Sequence, residues 1–170
     1  MEPLTFTREP FADVLEQCKP HFEAHWQETE MFRAGTAFNP NYERYIAFNK
    51  MDYYQFFVAR RAGQIVGNAG MYVTEGMHDR RKIAVEDTWF VTATERGMAG
   101  VMFLRFVEQD LRALGVQEVY MTTKLANRSG AVLEVCGYSH VANQYWKNLE
   151  CAPLTRRRRQ TTQPLPNSKQ

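Results

Sequence analysis

The sequence has few cysteines, no long apolar run and no strong excess of one charge sign. Its 170 residues hold three cysteines, Cys18, Cys136 and Cys151, an odd number with no close pair. That count excludes a disulfide framework. Together with four scattered histidines it gives no zinc or redox spacing, so no metal is expected. The thiols read as small, buried hydrophobes. No apolar stretch approaches the roughly 20 residues that cross a bilayer. The first residues, Met1 to Thr5, lack the basic-then-apolar pattern of a signal peptide. A soluble, cytoplasmic protein with no membrane partner is expected. Hydrophobic residues at 44% and charged ones at 24% are ordinary globular usage, which excludes disorder, collagen and coiled coil for the whole chain. At this length one domain with a full core is expected.

The formal net charge of +2 hides an asymmetry. Five of the 21 basic residues, Arg156, Arg157, Arg158, Arg159 and Lys169, fall in residues 151–170, which hold no acid; 16 basic residues are left against 19 acidic ones. A body with that balance argues against a folded face that grips nucleic acid. The boundary is placed after residue 152: a domain over 1–152, then a basic, disordered tail over 153–170. The run Arg156 to Arg159 is the candidate contact for nucleic acid or an acidic partner.

Leu4 to Arg8 alternates apolar and polar and reads as a first strand. A helix follows from Phe11 to Trp26, with Phe11, Val14, Leu15, Cys18 and Phe22 on one face and Pro20 expected to kink or interrupt it. A second helix is read over Tyr42 to Met51. Tyr53 to Arg60 and Gln64 to Val73, split by Arg61-Ala-Gly63, make a hairpin. Ile83 to Val91 is another strand. Met98 to Leu114 is the clearest helix, with Val101, Met102, Leu104, Phe106, Val107, Leu111 and Leu114 as its inner residues and Gly115 placed as a C-cap glycine. Val116 to Thr122 is a strand, Ser129 to Val135 a short helix, and Tyr138 to Leu149 one or two final strands. The class is α/β or α+β. Aromatic residues such as Tyr54, Phe56 and Phe57, at alternating strand positions, are weighed as core over a stacking pocket.

The chemistry points to the stretch from Val85 to Val101. A strand runs into a short turn and then a helix whose first turn is rich in small residues. Such a start offers unpaired backbone N–H groups and the positive end of the helix dipole, which together suit a phosphate. Gly97 and Gly100 serve equally well for a tight turn and for close helix–strand packing, so the glycines alone leave both readings open.

This order of elements resembles the GNAT superfamily of acyl-coenzyme A-dependent N-acyltransferases. In that family a strand bearing acids and ending in Val leads, over four residues, to an Arg-Gly turn; Val91 and Arg96-Gly97 fall in that register. Leu125 to Tyr138 is similar to the family's closing helix ending in Gly-Phe or Gly-Tyr. The likeness covers residues 4–149 and is greatest to small acetyltransferase-like proteins of tailed phages and prophages. It implies a mostly antiparallel central sheet flanked by helices. It also implies acetyl-CoA as co-substrate, held by the backbone of Phe90 and Val91, by the amides of Arg96, Gly97, Met98, Ala99, Gly100 and Val101, and by Asn127. An amine would then attack the thioester directly.

An attacking ammonium must lose a proton, and a leaving thiolate must be stabilised or protonated. Glu86 and Asp87 lie on the strand where the family often places a base. Adjacent strand residues point to opposite faces, so one of the two is expected to face the cleft, and Glu86 is the choice. Ala99 stands where the family has its first glycine after Arg-Gly, Val101 where it has Gly or Ala, and Leu133 where it has a tyrosine that often protonates the thiolate. Tyr138, with Tyr120 and Tyr145 nearby, is the replacement hydroxyl; water is the alternative. Two rival readings remain: a phage-type enzyme modifying nucleic-acid bases in the host cytoplasm, and a non-catalytic acyltransferase fold kept as a binding or virion-associated protein.

Overall fold

In the computed structural model the described residues are 2–30, 32, 33, 35–127 and 129–149. Contacts divide the chain into a unit over Met1–Ser139 and a second over His140–Gln170. The described part of the second unit, residues 140–149, carries neither helix nor strand, and Val141, Tyr145 and Leu149 are exposed. The expected strand over Tyr138 to Leu149 therefore does not form: those apolar side chains face solvent instead of alternating against a core. The basic run Arg156 to Arg159 lies outside the described residues.

The first unit runs β1 (Leu4–Arg8), α1 (Phe11–Thr29), α2 (Tyr42–Lys50), β2 (Tyr54–Arg61), β3 (Gln64–Glu75), β4 (Lys82–Val91), α3 (Met98–Ala113), β5 (Glu118–Tyr120) and α4 (Ser129–Val135). The five strands lie in the order of their numbers; β1 to β4 pair antiparallel, and β5 pairs parallel to β4. The β2–β3 turn is the pair Ala62 and Gly63, both at positive φ. That conformation matches the strand twist and is cheapest for glycine.

Two cores share the sheet. Phe11, Val14 and Cys18 of α1 pack with Tyr54, Phe56, Val58 and Ile65 on one face. Phe103, Val107 and Leu111 of α3 pack with Phe57, Ala59, Ala69, Met71 and Ala84 on the other. Alternation along β2 thus feeds both layers, which is why six successive residues, Tyr54 to Ala59, are all buried. In α3, Phe103 takes the inner position and Met102 is half exposed, the reverse of the helical-face reading for Met102. Gly115 follows the cap Leu114 at φ +82°, as the C-cap reading expects.

Pro20 lies inside α1 without ending it. Pro20 and Glu16, whose carbonyl loses its amide donor to the proline ring, are both on the exposed side of the helix. On the other side Cys18 and Phe22 pack against the sheet on either flank of the proline. Among the described residues no helix is long and apolar enough to cross a membrane.

Candidate active site

Strand β4 pairs with β3 along its whole length, from Lys82 to Val91. With β5 it pairs only over Ile83–Val85. Beyond that point the two strands part, because β5 stops at Tyr120 and the chain leaves regular structure. Glu86 sits at the fork. Its Oε2 accepts the backbone N–H of Thr122 at 3.2 Å, in the place of the next ladder bond. Burial pushes its carboxyl up to about 7; the Asp87 and Glu30 charges push the same way, while the Thr122 amide and Lys124 hold it down. Such a group is a proton acceptor poised near neutral pH.

The next residue breaks the pleat. Met71 faces Glu86 and Gly70 faces Thr88, so Asp87 is the extra residue of a β-bulge. Asp87 and Thr88 consequently both reach the α1/α2 face. Asp87 Oδ1 accepts from the Tyr45 hydroxyl at 3.4 Å and Oδ2 from the Tyr54 hydroxyl at 3.2 Å. Burial raises the Asp87 pKa and these two bonds lower it. Tyr54, itself held protonated by burial, reaches Asp87 only because residue 70 is glycine: a Cβ there would lie 1.9 Å from the Tyr54 Oη. Simple alternation foresees one carboxylate in the cleft; the bulge places Asp87 in the pocket and Glu86 beside it at the fork.

That pocket has a volume of about 350 Å³. Phe22 and Trp26 of α1, Phe38 of the following segment, Tyr42 and Tyr45 of α2, and Tyr54 of β2 form its aromatic walls, with Asp87 and Thr88 among its polar groups. His25 also lines it and contacts Thr88 Oγ1 through Nδ1 at 3.1 Å. The Asn68 amide donates to the same hydroxyl at 3.5 Å. Burial lowers the His25 pKa and so favours the neutral ring. Of the pocket aromatics the sequence points only to Tyr54, weighed as core over a stacking pocket; the helical aromatics read as core from their spacing, nothing in the sequence marks His25 or Thr88, and the bulge has no sequence signature beyond Gly70.

Past the fork, Phe90 and Val91 are buried at the end of β4. Arg96 donates from Nε to the Val91 carbonyl at 3.0 Å and pairs with Glu28, so it straps the strand end. Gly97 precedes α3 at φ +96°, and a Cβ there would meet nothing within 4 Å. No side chain caps the helix, and its first turn holds no acid. No side-chain carboxylate competes for the amides at this helix start, although the Gly100 N–H is already given to the Gly97 carbonyl at 3.1 Å, and buried Gly100 has ordinary clearance from Trp89. These residues fit a pyrophosphate, with Val101 half-buried at the margin.

Asn127 uses its Oδ1 to accept from both the Ser129 N–H, at 3.2 Å, and the Ser129 hydroxyl, at 2.6 Å, at the start of α4. Leu133 is buried. Tyr138 lines a different pocket, with Glu108 and Leu111 of α3 and Val119 of β5. Burial, and then the Glu108 carboxylate, push its pKa up. The two sequence candidates for proton transfer, Glu86 and Tyr138, therefore lie in separate surroundings.

A forked β4/β5 pair, a bulge that delivers carboxylates and an open helix start are together the layout of an acyl-transfer fold. Residues 11–138 match the Acetyltransferase (GNAT) family, and the chain belongs to it. Among solved structures it is similar to the ribosomal-protein-alanine N-acetyltransferase of Brucella melitensis biovar Abortus, at 13% identity and TM-score 0.69 over 86% of this chain and 98% of that one. It is also similar to an aminoglycoside acetyltransferase from an uncultured soil metagenomic sample, at 18% identity and TM-score 0.67 over 86% and 96%. A third is glucosamine-6-phosphate N-acetyltransferase from Arabidopsis thaliana, at 13% and 0.65 over 87% and 99%. At these identities the likeness is one of fold. No curated protein sequence matches the chain.

Proposed function

We propose that the protein moves an acetyl group from acetyl-CoA to an amine. The observation that carries this reading is Glu86 at the β4/β5 fork, a half-buried carboxylate that desolvation pushes up to about 7, beside a pocket of small-molecule size. Acetyl-CoA supplies an activated acetyl thioester. The amides of Arg96 to Val101 would hold its pyrophosphate, the backbone of Phe90 and Val91 its pantetheine arm, and Asn127 the far end of that arm.

Glu86 takes the ammonium proton of the bound acceptor. The freed amine nitrogen forms a bond to the thioester carbonyl carbon, the carbon–sulfur bond breaks with the electron pair leaving on sulfur, and the nitrogen gives its second proton to solvent as the neutral amide forms. With Tyr138 in the α3 pocket and Leu133 in place of a tyrosine, the thiolate takes its proton from water. Calorimetric titration with acetyl-CoA tests the donor half. Binding in the micromolar range, about −8 kcal/mol, is expected, and no binding at millimolar ligand would overturn it.

The likeness to phage-borne acetyltransferase-like proteins belongs to this reading as a source, with the host cytoplasm as its location. Arg156 to Arg159 would add a nucleic-acid contact independent of the cleft.

A further inference from the structure

The pocket also specifies the amine, an inference that rests on the acetyl-transfer reading. Its charged groups are unevenly partnered. Glu30 is paired with Arg33 at 2.7 Å and with Lys124 at 3.0 Å. Lys124 also lies near enough to Glu86 to act on its charge. Asp87 has neither cation: its carboxylate receives the two phenolic hydroxyls of Tyr45 and Tyr54, and no ion pair to it exists among the described residues. A buried carboxylate held only by neutral donors is short of a counter-ion.

The walls around Asp87 are aromatic. The Tyr45 and Tyr54 rings lie 5.0 Å apart at their centroids, and Tyr45 stands 5.5 Å from Phe11. Such faces attract a cation and shelter a flat apolar body. The ring faces themselves give hydroxyls no hydrogen-bond partner, and of the polar lining Glu30, Arg33 and Lys124 are engaged with one another. A sugar phosphate would have to compete with Glu30 for Arg33 and Lys124, which share its carboxylate, and would bring further negative charge to a pocket that already holds Glu30 and Asp87. A polycationic aminoglycoside would bring several ammonium groups to one unpaired carboxylate.

We propose that the acceptor is a monoamine of the arylalkylamine class, whose ammonium pairs with Asp87 and whose ring lies among Phe22, Trp26, Tyr42 and Tyr45. A volume of about 350 Å³ suits one ring system on a short chain.

The test uses the full chain and 2-phenylethylamine, with 2-phenylethanol as its uncharged counterpart and glucosamine-6-phosphate as the polar competitor. Binding is followed by calorimetry, with and without coenzyme A. The amine is expected to bind at least tenfold more tightly than either comparison ligand. Asp87→Asn should bring the amine down to the affinity of the alcohol and leave the alcohol unchanged. Equal affinity for amine and alcohol, tighter binding of the sugar phosphate, or an Asp87→Asn variant that weakens both ligands alike would each overturn the proposal. The ligand comparison needs no variant, so a folding defect in Asp87→Asn leaves the test intact. Acetyl-CoA is titrated into the same preparation. Acetyl-CoA binding without amine discrimination overturns the acceptor class alone; amine discrimination without acetyl-CoA binding overturns the transfer reading alone.

Discussion

Glu86 carries two opposed consequences at the scale of a single side chain. Its carboxyl is raised from 4.5 to about 7 in the folded protein. Between those values the native state keeps a proton that the unfolded chain has released. The resulting stability is therefore complete below about pH 4.5 and is lost as the pH rises through about 7. Glu86→Gln keeps an oxygen for the Thr122 amide and removes the titration. Relative to the parent it should gain roughly 3 kcal/mol between pH 4.5 and pH 8, read from urea melts at the two pH values; a difference that does not change with pH contradicts the assignment. Catalysis runs the other way, since the base must be deprotonated. The acetylation rate should rise with pH through about 7, and the Gln variant should be about 100-fold slower with that rise absent. Gly70 is the second sensitive position. Gly70→Ala sets a Cβ against the buried Tyr54 hydroxyl and should cost about 1–3 kcal/mol. Adding Tyr54→Phe should recover part of that loss in the same melts, because the nearest clashing atom is gone.

At the scale of elements, the turn before α3 is the most exposed to test. Gly97 adopts φ +96° and ψ −125°, a region that side chains rarely enter, although the space around it is open. Gly97→Ala should cost about 1–3 kcal/mol in backbone strain and lower acetyl-CoA affinity at least tenfold as the first-turn amides shift. Gly97→Glu, which adds a charge opposite the phosphates, should abolish binding; unchanged calorimetric affinity in either variant would remove the cradle. Much of this element structure was legible in the sequence. The 3.6-residue spacing of Leu104, Val107 and Leu111, the β-rich runs around Ala62-Gly63, and Gly115 each signal their element through local chemistry. What was not legible depends on contacts distant in sequence. Pro20 stays helical because the sheet grips both of its flanks, and the 140–149 segment is β-rich in composition but has no strand. The bulge at Asp87 was hidden for the same reason: one extra residue against Gly70 is a property of two strands, so alternation along one of them assigns the wrong face.

At the scale of the whole chain, the charge asymmetry lets the proposed acetyl transfer and a nucleic-acid contact be tested apart. Residues 1–150 carry an acidic excess, and the basic run from Arg156 follows it. If that run contacts nucleic acid, duplex binding by the full chain should fall with salt, with a slope near −4 in log K against log salt for about four cations. Deleting residues 153–170 should abolish duplex binding and leave acetyl-CoA affinity unchanged. Filter binding and calorimetry read the two separately, and a duplex affinity that survives the deletion places the contact elsewhere.

The parting of β4 from β5 has a consequence for how such a chain changes over generations. A slot made by separating two strands is walled by peptide groups, which every residue except proline supplies in full. Substitution of the side chains around it can therefore proceed far without unmaking it; the fold itself persists at 13% identity to a chain of TM-score 0.69. Where such a slot holds the acyl donor, selection on the donor's place is selection on where β5 ends, and the acceptor walls are left to diverge from one descendant to the next.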